Sequence, residues 1–142
     1  QQKLELAKQI GADEVINYSN EDIFEKIMDI TNGKGVDLVI ESVGGEVLIQ
    51  SINAVSLNGR LITCGAHAGE TVPINIIELF RKHILIQGSH LAGRREIAHV
   101  LKLVAQEKLS PVIDTVYPLA KAKIAAQKTA NRDVFGKLIL TP

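Results

Sequence analysis

A chain of 142 residues, 46% of them hydrophobic, can bury one core of ordinary size, which excludes a disordered polymer. The 16 Lys and Arg residues balance 16 Asp and Glu, and aromatics make up 4% without a tryptophan, so neither a cationic face for nucleic acid or membranes nor a stacking platform is expected. The single cysteine, Cys64, cannot close an internal disulfide, and four scattered histidines give no structural zinc spacing.

Leu4, Ala7 and Ile10 repeat at helical spacing and Gly11 follows as a stop, so the chain opens in a helix. Glu14-Val15-Ile16-Asn17 reads as a short strand. Ser19 with Asp22 resembles a capping box ahead of a helix carrying Ile23, Ile27 and Ile30, which Asn32-Gly33 ends. Val36 to Val43 is close to a continuous apolar run, which predicts a central strand covered on both faces. After Gly44-Gly45 a helix is expected through Leu48, Ile52 and Val55 to Asn58-Gly59, followed by a strand over Arg60 to Cys64. Asn75 with Glu78 caps a short helix, His83 to Gln87 forms a strand, and Ile97, Leu101 and Val104 mark a helix starting near Gly93 and closed off before Pro111. The tail then carries a strand over Val112 to Tyr117, an alanine-rich helix over Ala120 to Ala130, and a last strand over Lys137 to Leu140.

This alternation of strands and helices is the pattern of βαβ units around a parallel sheet. Ligands of such sheets bind beyond the carboxyl ends of the strands. The loops in question are Ser42 to Gly45, Gly65 to Gly69 and Gly88 to Gly93, whose glycines and small residues either leave room for a flat ligand or serve the turns themselves. Glu41 at the end of the apolar strand either hydrogen-bonds a ribose or reaches solvent. Cys64 reads as a packed thiol rather than a nucleophile, since no basic neighbour in sequence lowers its pKa. His67, His83, His90 and His99 lack ligand spacing, so no metal site and no catalytic residue is assigned. Arg94-Arg95 at a helix start opposes the macrodipole, and solvation accounts for it.

The segments KLELAKQIGADEVINY, GKGVDLVIESVGG, LNGRLITCGAHAG, PVIDTVYPL and FGKLILTP, in that order and spacing, resemble the C-terminal part of the medium-chain dehydrogenase/reductase superfamily. Within it the chain is most similar to the zinc-type alcohol dehydrogenase family and its quinone oxidoreductase-like branch. The resemblance implies an α/β, Rossmann-like doubly wound parallel sheet, truncated at its N-terminus. Residues 1–110 would then be part of a nicotinamide-binding domain, and residues 111–142 a tail that returns to a separate catalytic domain. The GxGxxG-type phosphate loop, the catalytic domain and any zinc ligands would lie before residue 1, so zinc is not expected to bind this region and the 142 residues alone are expected to be inactive.

By the same resemblance Val43 and Gly44 would contact the adenosine, Cys64, Gly65, Ser89, His90 and Leu91 would lie near the nicotinamide, and Lys137 near the phosphates. Lys3 and Tyr18 match positions that hold a ribose 2′-phosphate in NADPH-using members, which favours NADP(H) over NAD(H); otherwise Lys3 is an exposed helix lysine and Tyr18 a packed strand end. The implied function of the intact protein is hydride transfer from NADPH to a quinone, enone or carbonyl. A zinc-dependent alcohol dehydrogenase and a noncatalytic self-associating domain are the alternatives. No apolar run is long enough to cross a bilayer and the opening QQKLELAK lacks a secretory pattern, so a cytoplasmic location is expected. The family also implies a homodimer through the strand at residues 83–87. With the strands between them absent, the first strand is expected to move beside Val36 to Glu41, or a second chain's segment to fill the gap; the two tail strands are expected to pair with each other or with a neighbour.

Overall fold

The computed structural model describes residues 2–142, and these fall into two compact units, one reaching to Leu91 and the other Ala92–Pro142. In the first, helices α1 (Gln2–Gln9) and α2 (Ile23–Ile30) precede β1 (Val36–Glu41), α3 (Gly45–Asn53), β2 (Val55–Thr63), α4 (Ile76–Arg81) and β3 (Leu85–Gly88). All three strands are parallel, in the order β1-β2-β3, with Glu41 opposite Thr63 and Thr63 opposite Gly88. Ile52 of α3 and Val55 and Leu61 of β2 form the buried centre, with Val39, Leu48, Ile84 and Ile86 packed around them. The Gln50 side chain ties α2 to α3 by accepting a hydrogen bond from the Ile23 amide (2.8 Å).

Several elements differ from the sequence reading, each for a local reason. Glu14 to Asn17 joins no sheet and does not move beside β1, which pairs only with β2. The backbone at Asn17 is committed to a turn instead: its carbonyl accepts from the Asn20 and Glu21 amides, and its own amide donates to the Glu21 carboxylate. Within residues 2–142 β1 has β2 as its one neighbour. Val39 faces the core, whereas Leu38 and Ile40 on the opposite face are 57% and 68% exposed, because an apolar run buries both faces only where a layer covers each. The α2 cap is Asp22, whose carboxylate accepts from the Glu25 amide, and not Ser19.

Val55 begins β2 rather than ending α3, because Lys82 Nζ donates to the Asn53 and Val55 carbonyls and closes the helix there. The β1–β2 register then jumps at a bulge, from Val36 opposite Val55 to Leu38 opposite Arg60. β3 starts at Leu85 because His83, with φ 52°, closes α4: the His83 amide donates to the Phe80 carbonyl and the Ile84 amide to the Leu79 carbonyl, the Schellman pattern.

In the second unit, α5 (Arg94–Ala105) precedes β4 (Ile113–Pro118), a single 3₁₀ turn, α6 (Ala122–Ala130) and β5 (Lys137–Thr141). The two tail strands pair with each other, as expected, in parallel with Tyr117 opposite Leu140. Asp114 joins the pieces. Its carboxylate accepts from Lys128 Nζ of α6, from the Thr115 hydroxyl and, through the other oxygen, from the Phe135 amide (3.0 Å).

Candidate cofactor site

Because β1, β2 and β3 run parallel, their carboxyl ends open on one rim of the first unit, and the three loops singled out by their glycines follow those ends. Two of the loops interlock. The Ala68 amide donates to the Val43 carbonyl (2.7 Å), the Gly45 amide to the Gly69 carbonyl (3.1 Å) and the Cys64 amide to the Glu41 carbonyl (2.9 Å). A Cβ on Gly44 would stand 2.5 Å from the Gly69 carbonyl oxygen, and one on Gly65 2.5 Å from that of Ser42. These glycines are therefore required by the approach of one loop to the other. Gly88 is different: it ends β3 with open space where a Cβ would be.

Glu41 does not reach solvent. It is buried, and its Oε1 accepts from the Val43 amide (2.6 Å) and the Gly44 amide (2.8 Å), while Oε2 is buried without a hydrogen-bond partner. Gly44 has φ 78° and ψ −164°, a backbone conformation reserved for glycine, and it opens α3 without a side chain to cap it. The Glu41 carboxylate fixes the two residues that lead into this helix. A signal for this existed in the sequence, an acid two residues before Val43-Gly44, but not the direction in which it turns.

Cys64 is exposed rather than packed, with Sγ 3.5 Å from the Glu41 carbonyl. The Ser89 amide donates to the Thr63 carbonyl (2.8 Å), which extends the β2–β3 ladder into the third loop; His90 follows exposed, and Leu91 (φ 54°) is 87% exposed. The amides of Val43, Gly44, Gly45, Cys64 and Ala68 are all engaged within the protein.

Lys3 of α1 and Tyr18 of the turn after Asn17 line the same depression of about 350 Å³, together with Leu4 and Ile16. Tyr18 is exposed and not a packed strand end. Lys137 opens β5 and so belongs to the second unit. Among the described residues no group of three or more His, Cys, Asp or Glu is placed to hold a metal ion, and no helix is long and apolar enough to cross a membrane.

The sequence profile of the family described as zinc-binding dehydrogenase matches residues 1–106. The chain belongs to the zinc-binding dehydrogenase family. Among relatives of this family, quinone oxidoreductase 1 of Escherichia coli (strain K12) is 29% identical over 99% of the chain and 46% of its own length. L-threonine 3-dehydrogenase of Pyrococcus horikoshii is 41% identical over 80% of the chain and 34% of its own length. The crystal structure of an NAD-dependent alcohol dehydrogenase superposes with a TM-score of 0.88 at 33% identity, over 99% of this chain and 41% of that one. The chain thus spans less than half the length of these relatives, and its parallel strands match a Rossmann-like fold.

Proposed function

We propose that the protein carrying this chain is a nicotinamide-dependent oxidoreductase that moves hydride between NADP(H) and a small quinone, enone or carbonyl, and that this chain supplies one side of the dinucleotide site. The observation that carries the reading is the rim of three glycine-bearing loops at the carboxyl ends of one parallel sheet, in a chain of the zinc-binding dehydrogenase family. The cofactor would bring the hydride chemistry, and the loops would bind and orient it. On this reading Val43 and Gly44 face the adenosine, and Cys64, Gly65 and Ser89 to Leu91 the nicotinamide. The match to quinone oxidoreductase 1 of Escherichia coli supports the quinone-type acceptor. We take the protein to be cytoplasmic and a homodimer joined through the β3 edge.

Preference for NADP(H) rests on Lys3 and Tyr18 sharing one depression, where an ammonium and a phenol can receive a 2′-phosphate. Lys3→Ala in the full protein should weaken NADPH binding by on the order of 1–3 kcal/mol and leave NADH nearly unchanged. Isothermal titration with both dinucleotides measures this, and equal losses for the two would remove the 2′-phosphate role. A second reading, a zinc-dependent alcohol dehydrogenase, is favoured by the 41% identity to the Pyrococcus horikoshii enzyme. Metal analysis of the purified full protein, with activity measured before and after chelation, separates it from the first.

A further inference from the structure

The Glu41 side chain fixes the first of the two interlocked loops. Its Oε1 receives the Val43 and Gly44 amides at 2.6 and 2.8 Å, and the Glu41 main-chain carbonyl receives the Cys64 amide at 2.9 Å. Its burial, with 3% of its surface exposed, keeps water from competing for either contact. Gly44 stands in a conformation that few residues hold unaided, and the interlock leaves no room for a Cβ there, so the loop has no side chain of its own to fix it. Hydrogen bonds from two consecutive amides to one oxygen do fix it, much as a capping carboxylate does at a helix start.

We propose that Glu41 is the positioning residue of the nucleotide site. Its side chain sets the Val43–Gly44 main chain through Oε1, so that the surface these two residues present is preformed before the cofactor arrives. The inference rests on the nicotinamide reading above and adds to it the residue that shapes the first loop. Both loop amides bond to the same oxygen, Oε1. An amide carries one such oxygen at the same reach. Length and one acceptor are therefore what the site needs: glutamine meets both, aspartate is a methylene too short, and alanine has neither.

The test uses the full protein with Glu41→Gln, Glu41→Asp and Glu41→Ala. Hydrogen exchange at the Val43 and Gly44 amides is followed without ligand, NADPH and NADH affinities are titrated, and cofactor KM is compared with kcat at saturating cofactor. Glu41→Gln should keep amide protection and affinity within about threefold of the wild type, because a neutral acceptor retains most of the bond. Glu41→Asp and Glu41→Ala should speed exchange at those two amides and raise the dinucleotide Kd and KM by roughly tenfold or more, with a much smaller change in kcat. Because Glu41→Asp keeps the charge and most of the volume, it decides the matter even where Glu41→Ala fails to fold.

Wild-type binding of dinucleotide together with an Asp variant that binds equally well overturns the positioning role alone. So does a Gln variant as weak as the Asp variant, which would make charge the requirement. A wild-type protein that binds neither dinucleotide overturns the nucleotide reading, and the role with it, whatever the exchange at Val43 and Gly44.

Discussion

Asp114 shows how much one side chain can hold. Its carboxyl is kept well below the ordinary carboxylate range, first by the hydrogen bond from Lys128, then by those from the Thr115 hydroxyl and the Phe135 amide. The Lys128 ammonium is held above its usual value by the same contact. The sign follows from which state binds the proton more tightly. The folded protein prefers ionised Asp114, so its contribution to stability is present above the unfolded pKa of about 3.9 and is lost as pH falls below that toward the depressed folded value. That of Lys128 is present below its unfolded pKa and lost as pH rises through the elevated one. Denaturant midpoints of the full protein at pH 6 and pH 2.5 should therefore show a clear gap between wild type and Asp114→Asn at the higher pH and a smaller one at the lower. A gap of the same size at both would mean that the bonds to Asp114 do not favour its ionised form.

Among the elements, the glycines that looked alike in sequence divide into two kinds. Gly44 is demanded by its own backbone and by Gly69 across the interlock, whereas Gly88 meets nothing. Gly44→Ala should cost roughly 1–3 kcal/mol from backbone strain alone, with the clash added, and should lower the thermal midpoint. Gly88→Ala should leave stability within about 0.5 kcal/mol, as an open surface position does. If Gly88 is kept small for a ligand, the same variant weakens dinucleotide binding. Calorimetric melting paired with NADPH titration separates the two, and a Gly88→Ala protein that is stable and binds normally would leave that glycine without a ligand role. The sequence announced that something approaches these backbones closely; it could not announce whether that was a cofactor or another loop. Caps divide in the same way. Asn75 was legible because its side chain reaches amides only two and three residues on. The left-handed His83 that closes α4 was not, because a Schellman end needs a backbone angle rather than a side chain, and histidine there costs little enough to be tolerated. Glu14 to Asn17 had a strand's composition, but a strand exists only with a partner ladder.

At the scale of the whole molecule, the amount buried is the informative quantity. The chain exposes 10795 Å² of surface. A folded chain of its mass would expose about 7,200 Å², and two bodies the size of its units about 8,600 Å² together. Composition promised a core of ordinary size, and the parallel sheet was legible from alternation, yet Ile52, Ala54, Val55, Leu61 and Ala125 are the buried hydrophobics among the described residues. Apolar side chains such as Leu38, Ile40, Phe80 and Leu101 remain open to solvent. At the β3 edge Leu85 is half exposed, so Leu85→Glu in the full protein should place like charges across the proposed two-fold axis and give monomers by light scattering. An unchanged dimer mass would locate the interface elsewhere. The surface excess also bears on residues 1–142 expressed alone. Apolar area left in water contributes nothing to stability at about 25 cal/mol per Å², while each ordered residue still costs conformational entropy. The isolated segment should therefore bind a hydrophobic dye strongly, melt broadly, associate on sizing columns and show no dinucleotide-dependent turnover. A monomer with a sharp transition and weak dye binding would mean that this small core and the Asp114 network suffice by themselves, and that the exposed faces of β1, α4 and α5 need no cover.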